Sequence, residues 1–448
     1  MFYASDLIIQ YFPWYFILSN HLKNFSLPHW VTTTTGGYPL LAEGEIGALS
    51  PINSTALFLF PFPQSVTILY LIYFLTGFVG MFLFLKENKL THISSFLGSI
   101  VFILSGYITS RYFQPSIIFT SLLLPLGMYI ILKSKINPKV IFLLAPLIYL
   151  QITAGHLQIA LISICGYLTY QLIQIILDKR SYLPLLKTFV IIFLGITLSA
   201  PQLLPSLKLF TISQRQDWNP MIRFSYSLPP SHLITYLDPG FFGISKPGND
   251  IGFSQFGGGF WELNLTIWTI PFLISLIPLV FIFKKKSRPI IAFYILWIAF
   301  LLLSFGGFFK PNHIVAYLPN FPFRAPARFL LISTFAASTL CAIGFDMATK
   351  RAGKLKIILA FLVILSIIIQ QTILYKSYIV TKSIQEITKE VKNSSTNFTT
   401  PLLINQTKID ASQNMQKQFQ QEFEKGMAIS ALTTLILLVW YKREKSAV

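Results

Sequence analysis

Asp6, Glu43 and Glu45 are the acids at the front of this chain, and Arg324 and Arg328 stand far downstream in a proline-broken segment, FPFRAPARFLL. A carboxylate that is partly desolvated and within hydrogen-bond reach of a hydroxyl can take its proton as a general base. Two guanidinium groups at the start of a helix, beside its free N–H groups, make a natural phosphate site. Arg324 and Arg328 are four positions apart, so on a helix they share one face, and Pro326 suits a helix's first turn. Asp6 is the first choice for the base; its alternative is a helix cap or a solvated charge. Glu43 and Glu45, in PLLAEGEIGALSP, each read as a second acid, a metal ligand or a surface residue. TAGHLQIA supplies His156 and Gln158 at a short turn, where a hydrogen-bonding role in a cavity competes with capping and packing. Trp261 and Glu262 are candidates for substrate contact, although a tryptophan at such a position is also an ordinary interfacial residue. No HExxH, paired CxxC, EF-hand or GxxxxGK[ST] pattern occurs, so metal sites get little support; a divalent ion on Asp6 and Glu43 stays open. Cys165 and Cys341 lie inside apolar runs and read as small buried side chains.

The elements that must position these groups are helices in a bilayer. The chain is 54% hydrophobic and only 11% charged, where soluble domains carry about 25% charged residues. A spanning helix needs roughly 20 apolar residues. Runs at 65–85, 94–110, 116–133, 139–154, 157–177, 185–206, 263–283, 288–305, 325–346, 355–377 and 426–441 approach that length. The expected fold is therefore an all-α polytopic membrane protein of about eleven transmembrane helices.

The segments between the runs form two alternating sets. One is short and basic: Lys86/Lys89, Lys133/Lys135/Lys139, Lys179/Arg180/Lys187, Lys284 to Arg288, Lys350 to Lys356, and Lys442 to Lys445. The other is longer and holds more of the acids: 1–64, 207–262, 306–324 and 378–425. By the positive-inside rule the first set is cytoplasmic and the second faces outward. The net charge of +19 is thus topology information, not a nucleic-acid stripe. Residues 1–64 read as an outward interfacial loop whose Tyr11, Phe12, Trp14, Tyr15 and Phe16 suit the membrane–water boundary. Residues 65–377 form the multi-helix domain, 378–425 a polar outward segment, and 426–448 the last helix with a basic cytoplasmic tail. A front loop outside and a C-terminus inside make the span count odd. A chain that begins outside with no translocation signal is awkward to insert, which predicts a helix preceding Met1 that this chain lacks, the alternative being a first helix that inserts as a reverse anchor.

Several blocks resemble the bacterial YfhO family of multi-pass membrane proteins, related to the GT-C class of glycosyltransferases. They are SDLIIQYFPWY, PHW with GGYPLLAEGEIGALSPIN, LSGYITSR, TAGHLQIAL, DPGFFG with FWELNL, and FPFRAPARFLL. The resemblance implies a GT-C-like plan, a first helix followed by an outward loop with an acid near that helix's end; here the position is Asp6. It further implies transfer of a sugar from a polyprenyl-phosphate carrier to an acceptor outside the cytoplasm, a cell-wall polymer such as teichoic acid in Gram-positive relatives. On that expectation Asp6, with Glu43 as second acid, acts on the acceptor. Arg324 and Arg328 hold the departing phosphate, and His156, Gln158, Trp261 and Glu262 contact substrate. The rival is a non-enzymatic flippase or transporter of lipid-linked sugar, which needs polar groups along a path through the bilayer. The mid-span positions here are overwhelmingly apolar.

Overall fold

Pro13 shapes the entry to the first helix. It has no N–H, and its ring crowds the carbonyl four residues back. The chain accommodates this with a π-turn, Leu7–Tyr11, closed by the Phe12 N–H on the Leu7 carbonyl, and helix α1 (Phe12–Lys23) follows. Leu7, Tyr11, Tyr15 and Leu18, at helical spacing, are buried along one face, while Ile8, Ile9 and Phe16 are exposed. The structure, a computed structural model, describes residues 6–31, 38–179, 181–211, 213, 223–242, 259–281, 288–312 and 324–350. The expected runs 355–377 and 426–441 and the polar segment 378–425 lie outside the described residues.

Among those residues the protein is helical, with one isolated antiparallel bridge, Val31 to Tyr38. After a single turn at Leu40–Glu43 come α2 (Pro51–Leu59), α3 (Gln64–Glu87), α4 (His92–Ile103), α5 (Pro115–Leu122), α6 (Leu124–Lys133), α7 (Leu144–Thr153) and α8 (Leu157–Asp178). Then follow α9 (Leu183–Leu198), α10 (Ala200–Thr211), α11 (Thr269–Leu276), α12 (Arg288–Ser304) and α13 (Leu330–Lys350). Side chains cap several starts: Ser50 accepts from the Asn53 N–H at α2, Thr91 from Ser94 at α4, and His156 from Ile159 at α8. Helix α13 is buried from Leu330 through Ile343 and packs against α12, α11 and α4. A helix that is apolar all round belongs in such a place. At Gly80 of α3 a Cβ would stand 2.8 Å from the backbone N of Leu126, so glycine lets α3 lie directly on α6.

Among the described residues five helical stretches are long and apolar enough to cross a membrane: Gln64–Glu87, His92–Thr109, Pro115–Lys133, Leu157–Asp178 and Pro326–Lys350. A sixth arises if α9 and α10, which meet at 72°, count as one span. This fold is compatible with a membrane protein and coarser than the expected eleven spans. The run at 139–154 is a 3-10 turn, Pro138–Leu143, followed by the short α7. The run at 263–283 spends residues 264–268 outside any helix before α11 begins, and 288–305 yields the 17-residue α12. Leu71 and Leu75 on α3 and Phe189 and Phe193 on α9 remain exposed, a surface suited to lipid.

Where they are described, segments of the two sets lie at opposite ends of the bundle. At the basic end Lys133 pairs with Glu87 at 3.0 Å and Arg288 with Asp178 at 3.5 Å. There Asp346 also accepts from the Thr91 N–H at 2.8 Å. The other end collects residues 6–11, the loop around Glu45, the turns at 110–116 and 154–158, and the segments at 262 and 324–328. Helix α8 separates His156 from Asp178 by about 33 Å at a helical rise of about 1.5 Å per residue.

Candidate functional site

The centre of the acid-bearing end is a buried carboxylate shared by two arginines. Arg111, in LSGYITSR, is fully buried with its guanidinium 3.9 Å from the centre of the Tyr107 ring. Its Nη1 donates to the Tyr107 carbonyl at 2.9 Å, and its Nη2 to the Glu262 carbonyl at 3.1 Å and to Glu262 Oε2 at 2.9 Å. The other oxygen of Glu262 accepts from Arg328 Nε at 3.2 Å and Nη2 at 2.9 Å. The remaining Nη1 of Arg328 meets Gln158 Oε1 at 3.0 Å and His156 Nε2 at 3.2 Å. Two guanidinium groups on one carboxylate leave this triad with a net charge of +1. Burial pushes the Glu262 carboxyl up, but Arg328 and Arg111 together outweigh it and hold the group at about 2.

His156 answers to the same charges. Burial first, then the Arg328 guanidinium, hold its imidazole well below the usual histidine range against the pull of Glu262. The ring is therefore neutral near pH 7 and has one lone pair to offer. Two donors face it, the Ile159 N–H at Nδ1 (3.4 Å) and Arg328 at Nε2 (3.2 Å). They compete for that lone pair, so whichever nitrogen carries the proton, one donor goes short.

Two acids of the front, Asp6 and Glu45, stand beside this centre. Asp6, half-buried at the start of the π-turn, accepts from Gln114 Nε2 at 3.3 Å, and Gln114 is three residues past Arg111. The other amide atom of Gln114, Oε1, is buried with no partner among the described residues. Glu45 Oε2 accepts from the Tyr11 hydroxyl at 3.0 Å and from Gln10 Nε2 at 3.4 Å. With its proton on Glu45, Tyr11 accepts from Ser116 Oγ, 2.7 Å away. Glu45 is near enough to Arg328 for its charge to act there. The backbone explains the placement: Gly155 has φ +127°, and a Cβ on it would stand 2.8 Å from the Glu45 carbonyl oxygen. The Glu45 loop thus rests on the TAGH turn because that turn has no side chain there. Helix α10 holds the same loop from its other side, Gln202 donating to the Leu41 carbonyl at 2.9 Å and Ser206 to that of Ala42 at 2.7 Å.

Not every expected residue joins this centre. Glu43 accepts from the neighbouring Tyr38 hydroxyl, whereas Glu45 is the acid seated against the His156 turn. Among the described residues no three His, Cys, Asp or Glu side chains form a ligand cluster. Arg324 and Arg328 do not share a helix face. Ala325 between them is left-handed (φ 52°), and Arg328 belongs to a 3-10 turn, Pro326–Phe329, that Arg324 precedes. Arg328 accordingly turns inward to Glu262, while the half-buried Arg324 is fixed through its carbonyl, which accepts from Gln158 Nε2. Trp261 packs edge-on to Phe113 with ring centres 5.4 Å apart, and its carbonyl accepts from Ser110. Glu262, expected at substrate, is the counter-charge of two arginines. Arg111 was the residue missed. Its signal was an arginine at the end of a span away from the short lysine-rich segments.

Comparison of the chain with protein-family models, with curated proteins and with solved structures yields no match.

Proposed function

We propose that this chain is a membrane glycosyltransferase of GT-C-like plan, related to the YfhO family. It moves a sugar from a polyprenyl-phosphate-linked donor to an extracytoplasmic acceptor such as a cell-wall polymer. One observation carries the reading. Asp6 and Glu45 from the front of the chain and the arginines of its later segments lie at the same end of the bundle, away from the lysine-rich end. A nucleotide-sugar is not at hand outside the cytoplasm, so an activated donor has to arrive within the membrane.

In this mechanism Asp6 takes the proton of the acceptor hydroxyl as its oxygen bonds to the anomeric carbon. The bond from that carbon to the phosphate oxygen breaks, and the electron pair leaves with polyprenyl phosphate. Displacement in line inverts the anomeric centre. Arg324 meets the departing phosphate directly. Arg328 has its donors on Glu262, His156 and Gln158 and acts through the net positive charge of the triad behind it.

The test is transfer of radiolabelled sugar from a polyprenyl-phosphate donor in membranes carrying the full-length gene product. Asp6→Asn is expected to lower turnover by at least about 100-fold, the usual scale of general-base catalysis. Undiminished transfer by Asp6→Asn removes Asp6 from the mechanism. Movement of the labelled lipid between leaflets with no transfer product replaces the enzyme by the flippase.

A further inference from the structure

At the basic end of the bundle, far from the triad, α6, α8 and α9 enclose a cavity of about 250 Å³. Two cations reach it, Lys187 and Lys135, whose Nζ donates to Gln174 Oε1 in the same wall, and no carboxylate lines it. The nearby Asp178 is paired with Arg288. In its wall stands Gln171, 7% exposed. The orientation of its amide is fixed by its neighbour: Thr188 gives its hydroxyl proton to the Pro184 carbonyl at 3.0 Å, so toward Gln171 it can only accept. Gln171 Nε2 therefore donates to Thr188 Oγ1 at 2.8 Å, and Oε1 is left without a partner among the described residues. A buried amide oxygen without a donor costs free energy that a ligand's hydroxyl would recover.

The geometry points to a binding site for a hydroxyl-bearing phosphate ester. Its anionic oxygens lie between Lys135 and Lys187, and one of its hydroxyl groups donates to Gln171 Oε1. A cavity of about 250 Å³ suits a glycerophosphate group and excludes acyl chains. Chains attached to that group would leave past Leu183, which lines the cavity and is 55% exposed on the lipid-suited face of α9. The same chemistry is presented by the headgroup of an anionic glycerophospholipid and by free glycerol phosphate. The proposal does not depend on the glycosyltransferase reading.

Purified full-length protein in detergent is titrated with phosphatidylglycerol, phosphatidylmethanol, phosphatidylcholine or soluble glycerol 3-phosphate, with thermal melting and native mass spectrometry as readouts. Phosphatidylglycerol is expected to bind at least about fivefold more tightly than phosphatidylmethanol, which has the charge and no headgroup hydroxyl, a ratio typical of one hydrogen bond. Gln171→Met is expected to erase that difference. Lys135→Ala with Lys187→Ala, both at exposed positions and so compatible with folding, should erase the preference for anionic lipid over phosphatidylcholine. Binding of glycerol 3-phosphate with the same sensitivity to the variants supports the site and makes the soluble ester its ligand. Equal binding of phosphatidylglycerol and phosphatidylcholine without response to glycerol 3-phosphate, or a phosphatidylglycerol preference that survives the double lysine variant, overturns it.

Discussion

Arg328 donates both Nε and Nη2 to one carboxylate oxygen of Glu262, at 3.2 and 2.9 Å, and so commits itself to the interior of the bundle. The opposite oxygen is already held by Arg111 at 2.9 Å. Ion pairs this deep gain little over an apolar replacement, but a partner left alone in the interior is costly. The charge balance of the triad therefore matters more than its number of bonds.

Glu262→Gln leaves two buried guanidinium groups without a counter-charge, and a loss of about 3–5 kcal/mol is expected. Arg111→Met removes as many charges and leaves a one-to-one pair between Glu262 and Arg328. It should cost clearly less. Melting temperatures of the two variants in the same detergent compare them, and the reverse order would deny the triad its excess positive charge.

Stability should fall as pH drops, in two stages. His156 and Glu262 both bind protons less readily folded than unfolded, so the unfolded chain takes them up first. Stability linked to His156 is complete above its ordinary value of 6.5 and drains below it; that linked to Glu262 drains from 4.5 toward about 2. His156→Asn should flatten the slope between pH 6.5 and 4.5, which melting measured across a pH series reads directly. An unchanged slope would mean that His156 takes up its proton in the folded chain.

Arg324 and Arg328 should separate in their effects. Arg324→Ala keeps the backbone carbonyl that Gln158 holds and is expected to cost less in melting than Arg328→Ala, while weakening use of the phosphate-linked donor. Arg328→Ala leaves Glu262 paired with Arg111 alone, but it also opens a cavity and takes the donor from Gln158 and His156, and it should lower the yield of folded protein. Parallel assays of donor dependence and of monodisperse yield distinguish the two roles.

Gly155→Ala puts a methyl group 2.8 Å from the Glu45 carbonyl oxygen, on a backbone with φ +127°. The Glu45 loop must lift or the turn must distort, at a cost of about 1–3 kcal/mol. Limited proteolysis should then cut between Glu43 and Leu49 in the variant and spare the parent.

Much of this architecture was legible where it depends on local composition. The apolar runs at 65–85 and 157–177 become α3 and α8 with small shifts of their ends, and the described parts of the basic and acid-bearing segments fall at opposite ends of the bundle. What depends on single backbone angles was not. Four-residue spacing put Arg324 and Arg328 on one face only if Ala325 were helical, and it is left-handed. Run length could not reveal that 264–268 is non-helical or that α9 and α10 meet at 72°. Nor could it pair Arg111 with Glu262, 151 positions away, since nothing local in either stretch encodes the other. Gln158 and Glu262 were found as polar residues at helix ends, and their roles came from partners that only the folded chain supplies.

The burial of α13 has a consequence for how the protein is made. Its neighbours α4, α8, α11 and α12 all leave the ribosome before it does. Until Leu330 and the residues after it arrive, those helices surround a trough that only lipid or an insertion factor can fill. The small side chains Ala336, Ala337, Ala342 and Gly344 let a late helix slide into that trough without forcing its walls apart. A nascent chain halted ahead of Leu330 would insert its earlier helices yet present a hollow centre to the cell's proteases.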